Sequence, residues 1–298
     1  MERVRKYVQS GMALLANGSW EFPWSRTISY SPLKVLCSPG LNCYSCPAST
    51  TYCPLGALQQ LWLALRLNLD LGQLYLGAYV LGSVGLIGAA IGRIVCGWIC
   101  PFGLIQELLY KIPSRKFSIS RSLRWGKYIL LIFLVVLLPM VWVGESGLGR
   151  PWFCKYVCPA GTLEAGLPMV LLQPELRATL GWLWWNKFGI LLGFVLWSIV
   201  ASRPFCRVAC PLGAWYGLFN RHALIRLRLD RNRCTGCEAC HAVCPTGVRF
   251  NEKPGDAECI VCLRCLSACK VQAIQLDVAG LALARVRSRA RETVRKAG

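Results

Sequence analysis

Eight cysteines near the C-terminus fall in two matching registers. Cys234, Cys237, Cys240 and Cys244 are followed by Pro245, and Cys259, Cys262, Cys265 and Cys269 repeat the spacing. An x2/x2/x3 spacing lets one short loop turn three thiolates inward on an iron–sulfur cage, while the fourth cysteine reaches the cage of the other run. The segment is thereby constrained to two crossing loops around two [4Fe–4S] clusters. One cluster falls to Cys234, Cys237, Cys240 and Cys269, the other to Cys244, Cys259, Cys262 and Cys265. Structural zinc, the competing use, draws on separated C-x2-C pairs. Lys270 stands where a second proline would be usual, at no cost in ligands.

The rest of the chain is unlike a soluble carrier of such clusters. Of 298 residues 55% are hydrophobic, and the mean hydropathy is +0.43. A soluble domain of this length is less apolar, so helices that cross a membrane are expected. Thirty-four Lys and Arg against fourteen Asp and Glu give a net charge of +20. In a membrane protein that excess reflects cytoplasmic loops more simply than nucleic-acid binding. The segment 230–277 is nearly charge-balanced, which argues against a nucleic-acid partner there. Eighteen cysteines in an intracellular setting point to metal or redox ligands rather than a disulfide scaffold. After the basic start at Met1–Lys6 no long apolar core with a small-residue cleavage site follows, so a cleaved signal peptide is not expected.

Apolar runs suggest spans at 71–95, 128–143 and 180–202, the first with a Gly88-x3-Gly92 pair suited to close helix packing. Pro139 should kink the second near its far end. Residues 7–24 form either a weak first span or an interfacial helix, and the alternation of sides favours the span. Lys111, Arg115, Lys116, Arg121, Arg124 and Lys127 mark the 111–127 loop as cytoplasmic, as Arg203, Arg207, Arg221, Arg226 and Arg228 mark the segment after the third span. The expected fold is an α-helical integral membrane protein of three to four transmembrane helices plus a small α+β two-cluster domain. Its expected location is the inner (cytoplasmic) membrane, multi-pass, with the two-cluster domain in the cytoplasm. The implied divisions are a cysteine-rich N-terminal part (1–70), a membrane region (71–229), the cluster domain (230–277) and a basic tail (278–298).

The other ten cysteines follow a repeat. Cys-Pro-x-Gly recurs at Cys53, Cys100, Cys158 and Cys210, at intervals of 47, 58 and 52 residues. Three copies have a partner four residues earlier, Cys96, Cys154 and Cys206. Such a period marks one supersecondary unit copied several times. Cysteines at i and i+4 share one helix face, so each pair offers two thiolates in one direction. Successive copies follow successive spans and should alternate sides. Cys96, Cys100, Cys206 and Cys210 then gather at the inner edge, and Cys154 and Cys158 at the outer. The N-terminal copy supplies Cys37, Cys43, Cys46 and Cys53 locally. The inner four suit a third cluster, a reversible dithiol, bound copper or a structural role. The outer six suit a fourth cluster or a set of disulfides.

Taken together, these motifs resemble the membrane polyferredoxins similar to NapH, over residues 71 to about 277. The resemblance rests on Cys96-x3-Cys100-Pro101, Cys206-x3-Cys210-Pro211 and the two-cluster, bacterial-ferredoxin-like run. It implies a quinol dehydrogenase membrane component that takes electrons from membrane quinol and passes them toward a protein redox partner. The group at Cys37–Cys53 and the pair Cys154/Cys158 depart from the simplest family pattern. Two functions follow from the sequence: a membrane-bound iron–sulfur electron-transfer protein, or a membrane metal (copper) or thiol reductase or assembly factor. No catalytic residue is identifiable.

Smaller signals carry less. Cys237-x2-Cys240-His241 matches a haem c attachment motif, but its cysteines are committed to the cluster register. His222 and His241 are the only histidines and neither lies in a span, so haem b is not expected. No glycine-rich nucleotide or flavin loop is present. Glu145, Glu107, Glu164 and Trp152 read as solvated interfacial groups more readily than as quinol ligands. The tail's Arg285–Lys296 cations suit anionic lipid or a solvated end.

Overall fold

A computed structural model describes residues 2–17, 37–43, 52–72, 77–142 and 150–284; Cys46, Glu145 and the basic tail from Arg285 lie outside these. The chain opens with α1 (Glu2–Asn17), then α2 (Pro54–Asp70), α3 (Ala78–Ile91), the short α4 (Ile94–Trp98) and α5 (Pro101–Leu109). A continuous helical run, α6 (Ser122–Val141), precedes short helical turns over 153–172. There follow α7 (Trp182–Val200), α8 (Pro204–Val208) and α9 (Pro211–Phe219). Strands β1 (Ile225–Leu229), β2 (Ile274–Val278) and β3 (Leu281–Ala284) make an antiparallel sheet in that order.

Helices α6 and α7 are long and apolar enough to cross a membrane, and only 22% and 11% of their apolar windows are buried. Ile129, Phe133, Leu192 and Leu196 face outward. In α6 the backbone widens to π-helical turns over Leu131–Leu137, ahead of Pro139. Proline lacks an N–H and clashes with the carbonyl four residues back, and a wider turn relieves both.

The span expected over 71–95 is shortened to Ala78–Ile91 and broken again at Gly92, where φ is 52°. Helix α2 continues to Asp70, and α3 begins only at Ala78 and packs against α2. Gly72 and Gly77 take φ of 72° and 54°, left-handed values that end a right-handed helix and that glycine adopts freely. Hydropathy does not register such a break. The Gly88/Gly92 pair does allow close packing, against α9. A Cβ on Gly88 would fall 2.8 Å from the Phe219 ring, and one on Gly92 would fall 2.7 Å from Asn220 Oδ1.

Helix α1 turns Arg5 and Gln9 inward and leaves Tyr7, Leu14 and Leu15 exposed. Arg5 donates to the Gly97 carbonyl at 2.8 Å and pairs with Glu107 at 2.5 Å; Gln9 donates to the Cys100 carbonyl at 2.8 Å. Sixteen residues span about 24 Å, less than a hydrocarbon core of roughly 30 Å. The described part of this helix therefore lies along α4 and α5. Residues 18–24 lie outside the described ones.

The sheet closes the cysteine-rich unit at its base. Ile225 pairs with Val278 and Leu229 with Ile274, so the folded unit starts upstream of residue 230. Asp277 is buried beneath Arg226 at 3.3 Å and Arg228 at 2.7 Å. This unit rests directly on the helices. A Cβ on Gly97 would lie 2.5 Å from the Ile260 carbonyl oxygen, and Trp98 Nε1 donates to Val261 O at 3.0 Å. Asn220 Nδ2 donates to the carbonyls of Asp256 at 2.9 Å and Cys259 at 2.6 Å. Buried Glu258 pairs with Arg93 at 3.0 Å and with Lys127. A buried charge left unpaired is costly, and here each cation faces a carboxylate.

Candidate iron–sulfur centres

The two C-x2-C-x2-C loops have the same backbone. Gly236 and Glu238 take φ of 69° and 53°; Val261 and Leu263, at equivalent positions, take 47° and 62°. A β-branched valine at positive φ is strained. Alternating right- and left-handed residues aim successive N–H groups into one concavity, an arrangement that recurs at iron–sulfur sites. The equivalence extends to the fourth cysteines: Val248 N donates to Cys244 Sγ and Ala273 N to Cys269 Sγ, both at 3.3 Å.

Cys244, Cys259, Cys262 and Cys265 line one small cavity, beside Cys240. Burial, and after it the neighbouring Cys262 and Cys244, pushes the Cys259 thiol up to about 12. Burial with Cys259, Cys262 and Cys244 also pushes Cys265 up. The four thiols stand close together, and iron would deprotonate them outright. On the solvent side, exposed Cys237 is pushed down by the Ala239 N–H and the Thr235 hydroxyl, with Lys270 contributing. Lys270 follows Cys269, so the end of the second run lies beside the first.

The cysteines of the helical base have their own logic. A residue before proline is driven to extended backbone, and proline is favoured as the first helical residue. Cys53, Cys100, Cys158 and Cys210 accordingly have ψ of 118, 118, 107 and 109°, each capping the helix that starts at the next proline. The Cys210 thiol accepts from the Gly213 N–H at 3.3 Å, and the amides of Gly56, Gly103 and Gly161 lie at the same place beside the thiols of Cys53, Cys100 and Cys158. Helix N-termini favour negative charge. The glycine is also required by space: a Cβ on Gly103 would sit 3.0 Å from the Cys96 carbonyl, and one on Gly213 would sit 3.2 Å from that of Cys206.

Copies two and four interlock. Arg203 Nη1 donates to Cys96 O at 2.6 Å, and Arg93 Nη2 donates to Cys206 O at 3.0 Å. Gln106 donates to Cys206 Sγ at 3.2 Å and accepts from Phe205 N at 3.1 Å. Cys96, Cys100, Cys206 and Cys210 are all buried and influence one another electrostatically. Copies one and three meet in the same way, with Gln59 taking the part of Gln106. It donates to Cys154 Sγ at 2.9 Å and accepts from Phe153 N at 3.1 Å. Cys37, by contrast, lies beside Tyr79 and Ser83.

Sequence reasoning missed the residues that bind these groups together. Aligning the four Cys-Pro-x-Gly copies exposes part of the signal: six positions after each cysteine stand Gln59, Gln106, Glu164 and Tyr216. Arg93 and Arg203 each precede a first cysteine by three. Glu107 and Glu164, read as solvated, are internal. Glu107 holds Arg5 and Arg203, and Glu164 accepts from Cys43 N at 2.7 Å. Arg203, Arg207 and Lys127, counted as loop cations, are buried.

Among the described residues no three His, Cys, Asp or Glu side chains close on a single ion. Zinc, with Zn–S bonds of about 2.3 Å, would hold its thiolates in mutual contact, whereas a cubane spreads four around a larger cage. The cavity amid Cys244, Cys259, Cys262 and Cys265 suits the latter.

A helical base carrying paired C-x3-C-P cysteines beneath a doubled cysteine-run unit defines a ferredoxin-type iron–sulfur protein of electron transport. A family described as a 4Fe-4S binding domain matches residues 75–120, 128–167 and 183–232, and a second of the same description matches 227–250. An uncharacterized protein of Methanocaldococcus jannaschii is 31% identical over 218 residues, 70% of this chain and 74% of its own. The ferredoxin-type protein NapH of Haemophilus influenzae is 29% identical over 212 residues, covering 63% and 66%. The methylamine utilization ferredoxin-type protein MauN of Methylorubrum extorquens is 30% identical over 172 residues, 54% of each chain. No solved structure matches. The chain belongs to the NapH-like family of polyferredoxins.

Proposed function

We propose that the protein is a membrane-embedded electron relay holding at least three [4Fe–4S] clusters. Two are held in the cytoplasmic ferredoxin unit by Cys234, Cys237, Cys240 and Cys269 and by Cys244, Cys259, Cys262 and Cys265. The third is held at the inner membrane edge by Cys96, Cys100, Cys206 and Cys210. Each cluster, when bound, stores and releases one electron. Helices α6 and α7 cross the inner membrane, the fourteen-residue α3 packs beside them without spanning it, and α1 lies along its cytoplasmic face. Outward-facing apolar side chains on α6 and α7 support the crossing. The exposed cations of the 111–127 loop support the orientation.

One observation carries the reading. Gly97 and Trp98, directly after Cys96, touch Ile260 and Val261, which lie between Cys259 and Cys262. Two cysteine groups are thus separated by a single layer of backbone, and electron exchange falls steeply with distance. The electron source is membrane quinol or a cytoplasmic donor, and the recipient is a protein redox partner; relatives named NapH and MauN ferredoxin-type proteins support such a partnership.

The test is iron and acid-labile sulfide per chain after anaerobic purification, with EPR of the reduced protein. At least about twelve irons are expected, and Cys206→Ala should remove about four. A content of about eight, unchanged in Cys206→Ala, would overturn the third cluster and favour copper or thiol chemistry at the inner cysteines.

A further inference from the structure

We infer that Cys43, Cys53, Cys154 and Cys158 form a fourth cluster site, deeper in the helical base. The inference extends the relay reading, since it takes the inner four cysteines as its template. Equivalent positions repeat the same contacts. Cys53 and Cys158 cap the helices that start at Pro54 and Pro159, as Cys100 and Cys210 cap those that start at Pro101 and Pro211. Gln59 grips Cys154 and Phe153 as Gln106 grips Cys206 and Phe205.

The first copy lacks a cysteine four residues before Cys53, where Ser49 stands. Cys43 fills the gap. Its Sγ lies 3.1 Å from where a Cβ on Gly161 would be, and its N–H donates to Glu164, the residue at the Gln59 and Gln106 position of the third copy. The four cysteines so selected differ from the local Cys37–Cys53 group that spacing alone suggests.

A second observation points to an occupant. The four cysteines line a cavity of ≈ 580 Å³ together with Asn42. Asn42 is 1% exposed, and neither atom of its side-chain amide has a hydrogen-bond partner among the described residues. Leaving a buried amide unsatisfied costs about 1–3 kcal/mol. Cluster sulfides and cysteine thiolates accept such hydrogen bonds, which tune the potential. The site is also within reach of the inner four. A Cβ on Gly40 would lie 3.1 Å from Cys100 Cα, and three extended residues add at most ~11 Å, so Cys43 and Cys100 are within about 15 Å of each other.

The experiment uses the whole protein purified anaerobically. The expected content is about sixteen irons. A Cys53→Ser/Cys158→Ser variant should lose about four irons that Cys206→Ala does not remove, and keep the ferredoxin EPR signals as proof of folding. Cys43→Ser should lose the same four, and Cys37→Ser none. About twelve irons in the wild type, undiminished by the double variant but lowered by Cys206→Ala, would overturn the fourth site and leave the relay reading standing. A Cys53–Cys158 disulfide found by non-reducing mass spectrometry, or loss of these irons from Cys46→Ser in place of Cys43→Ser, would overturn it too. Should the double variant not fold, Asn42→Leu decides. It should lower the midpoint potential of one cluster signal at unchanged iron content, and no shift in any signal would refute the site.

Discussion

Arg93 donates a hydrogen bond across the helical base to the backbone carbonyl of Cys206 at 3.0 Å. Arg203 returns the contact to Cys96 at 2.6 Å, so each half of the inner cysteine group is held by a cation rooted in the other. Each guanidinium is fully buried and pairs with a carboxylate, Glu258 for Arg93 and Glu107 for Arg203.

Removing Glu107 should therefore loosen two elements at once. Glu107→Ala leaves Arg5 and Arg203 buried without a counter-charge, a loss of about 3–5 kcal/mol. Limited proteolysis in detergent should cut near α1 before the helical base unfolds.

The same carboxylate sets an acid limit. Burial alone would raise the Glu107 pKa, but Arg203 and Arg5 hold it below the usual carboxylate range. Its contribution is complete above the unfolded value near 4.5 and is lost as pH falls through the lower folded value. Protection of α1 measured by hydrogen exchange should survive at about pH 5 and vanish at more acid pH; loss already at about pH 6 would contradict this.

Gly97→Ala tests the docking of the cluster unit. The added Cβ meets a backbone carbonyl at 2.5 Å, which cannot rotate aside, so overpacking should cost about 1–3 kcal/mol. Iron content should hold while electron exchange between clusters, followed by stopped-flow EPR, slows. Unchanged exchange rates would mean that this contact is not the route.

Gln106→Leu removes a hydrogen bond to Cys206 Sγ while filling similar space. Outer contacts of this kind change metal retention by about 10–100-fold. Chelator challenge should strip about four irons faster from the variant than from the parent.

The Glu258 anchor can be probed through a pair. Glu258→Met alone strands Arg93 and Lys127 and should destabilise strongly. Adding Lys127→Met restores part of the loss, because replacing both members of a buried pair costs less than removing one. Thermal denaturation in detergent would rank the three proteins, and a double variant no better than the single would contradict the network.

Much of this was legible in the residues. The doubled run carried the shared backbone of its two loops in its spacing, because x2/x2/x3 leaves little freedom in a short loop. The Cys-Pro-x-Gly repeat announced four helix starts for a local reason, the effect of proline on the residue before it. What did not show was everything set by distance along the chain. Nothing in the spacing says that Gln59 meets Cys154, or that Arg203 is internal while its neighbours in the count are loop cations. The meeting of Cys43 with the third copy was hidden because the first copy breaks the four-residue interval. The break at Gly72 and Gly77 was hidden because glycine scores as apolar yet ends helices. Hydropathy likewise could not tell an interfacial Glu107 from one enclosed between two guanidiniums.

The copies do not pair with their neighbours in sequence: the first meets the third, and the second meets the fourth. Such interleaving means no contiguous half of the polypeptide can stand alone. A ribosome that has finished the second copy has made no complete set of contacts. The inner group must wait for Arg203, Cys206 and Cys210 to emerge, and the docking surface for Ile260 waits longer still. Assembly of the group Cys96, Cys100, Cys206 and Cys210 is therefore a late event in biogenesis, and a nascent chain arrested before α8 should hold Cys96 and Cys100 without their partners.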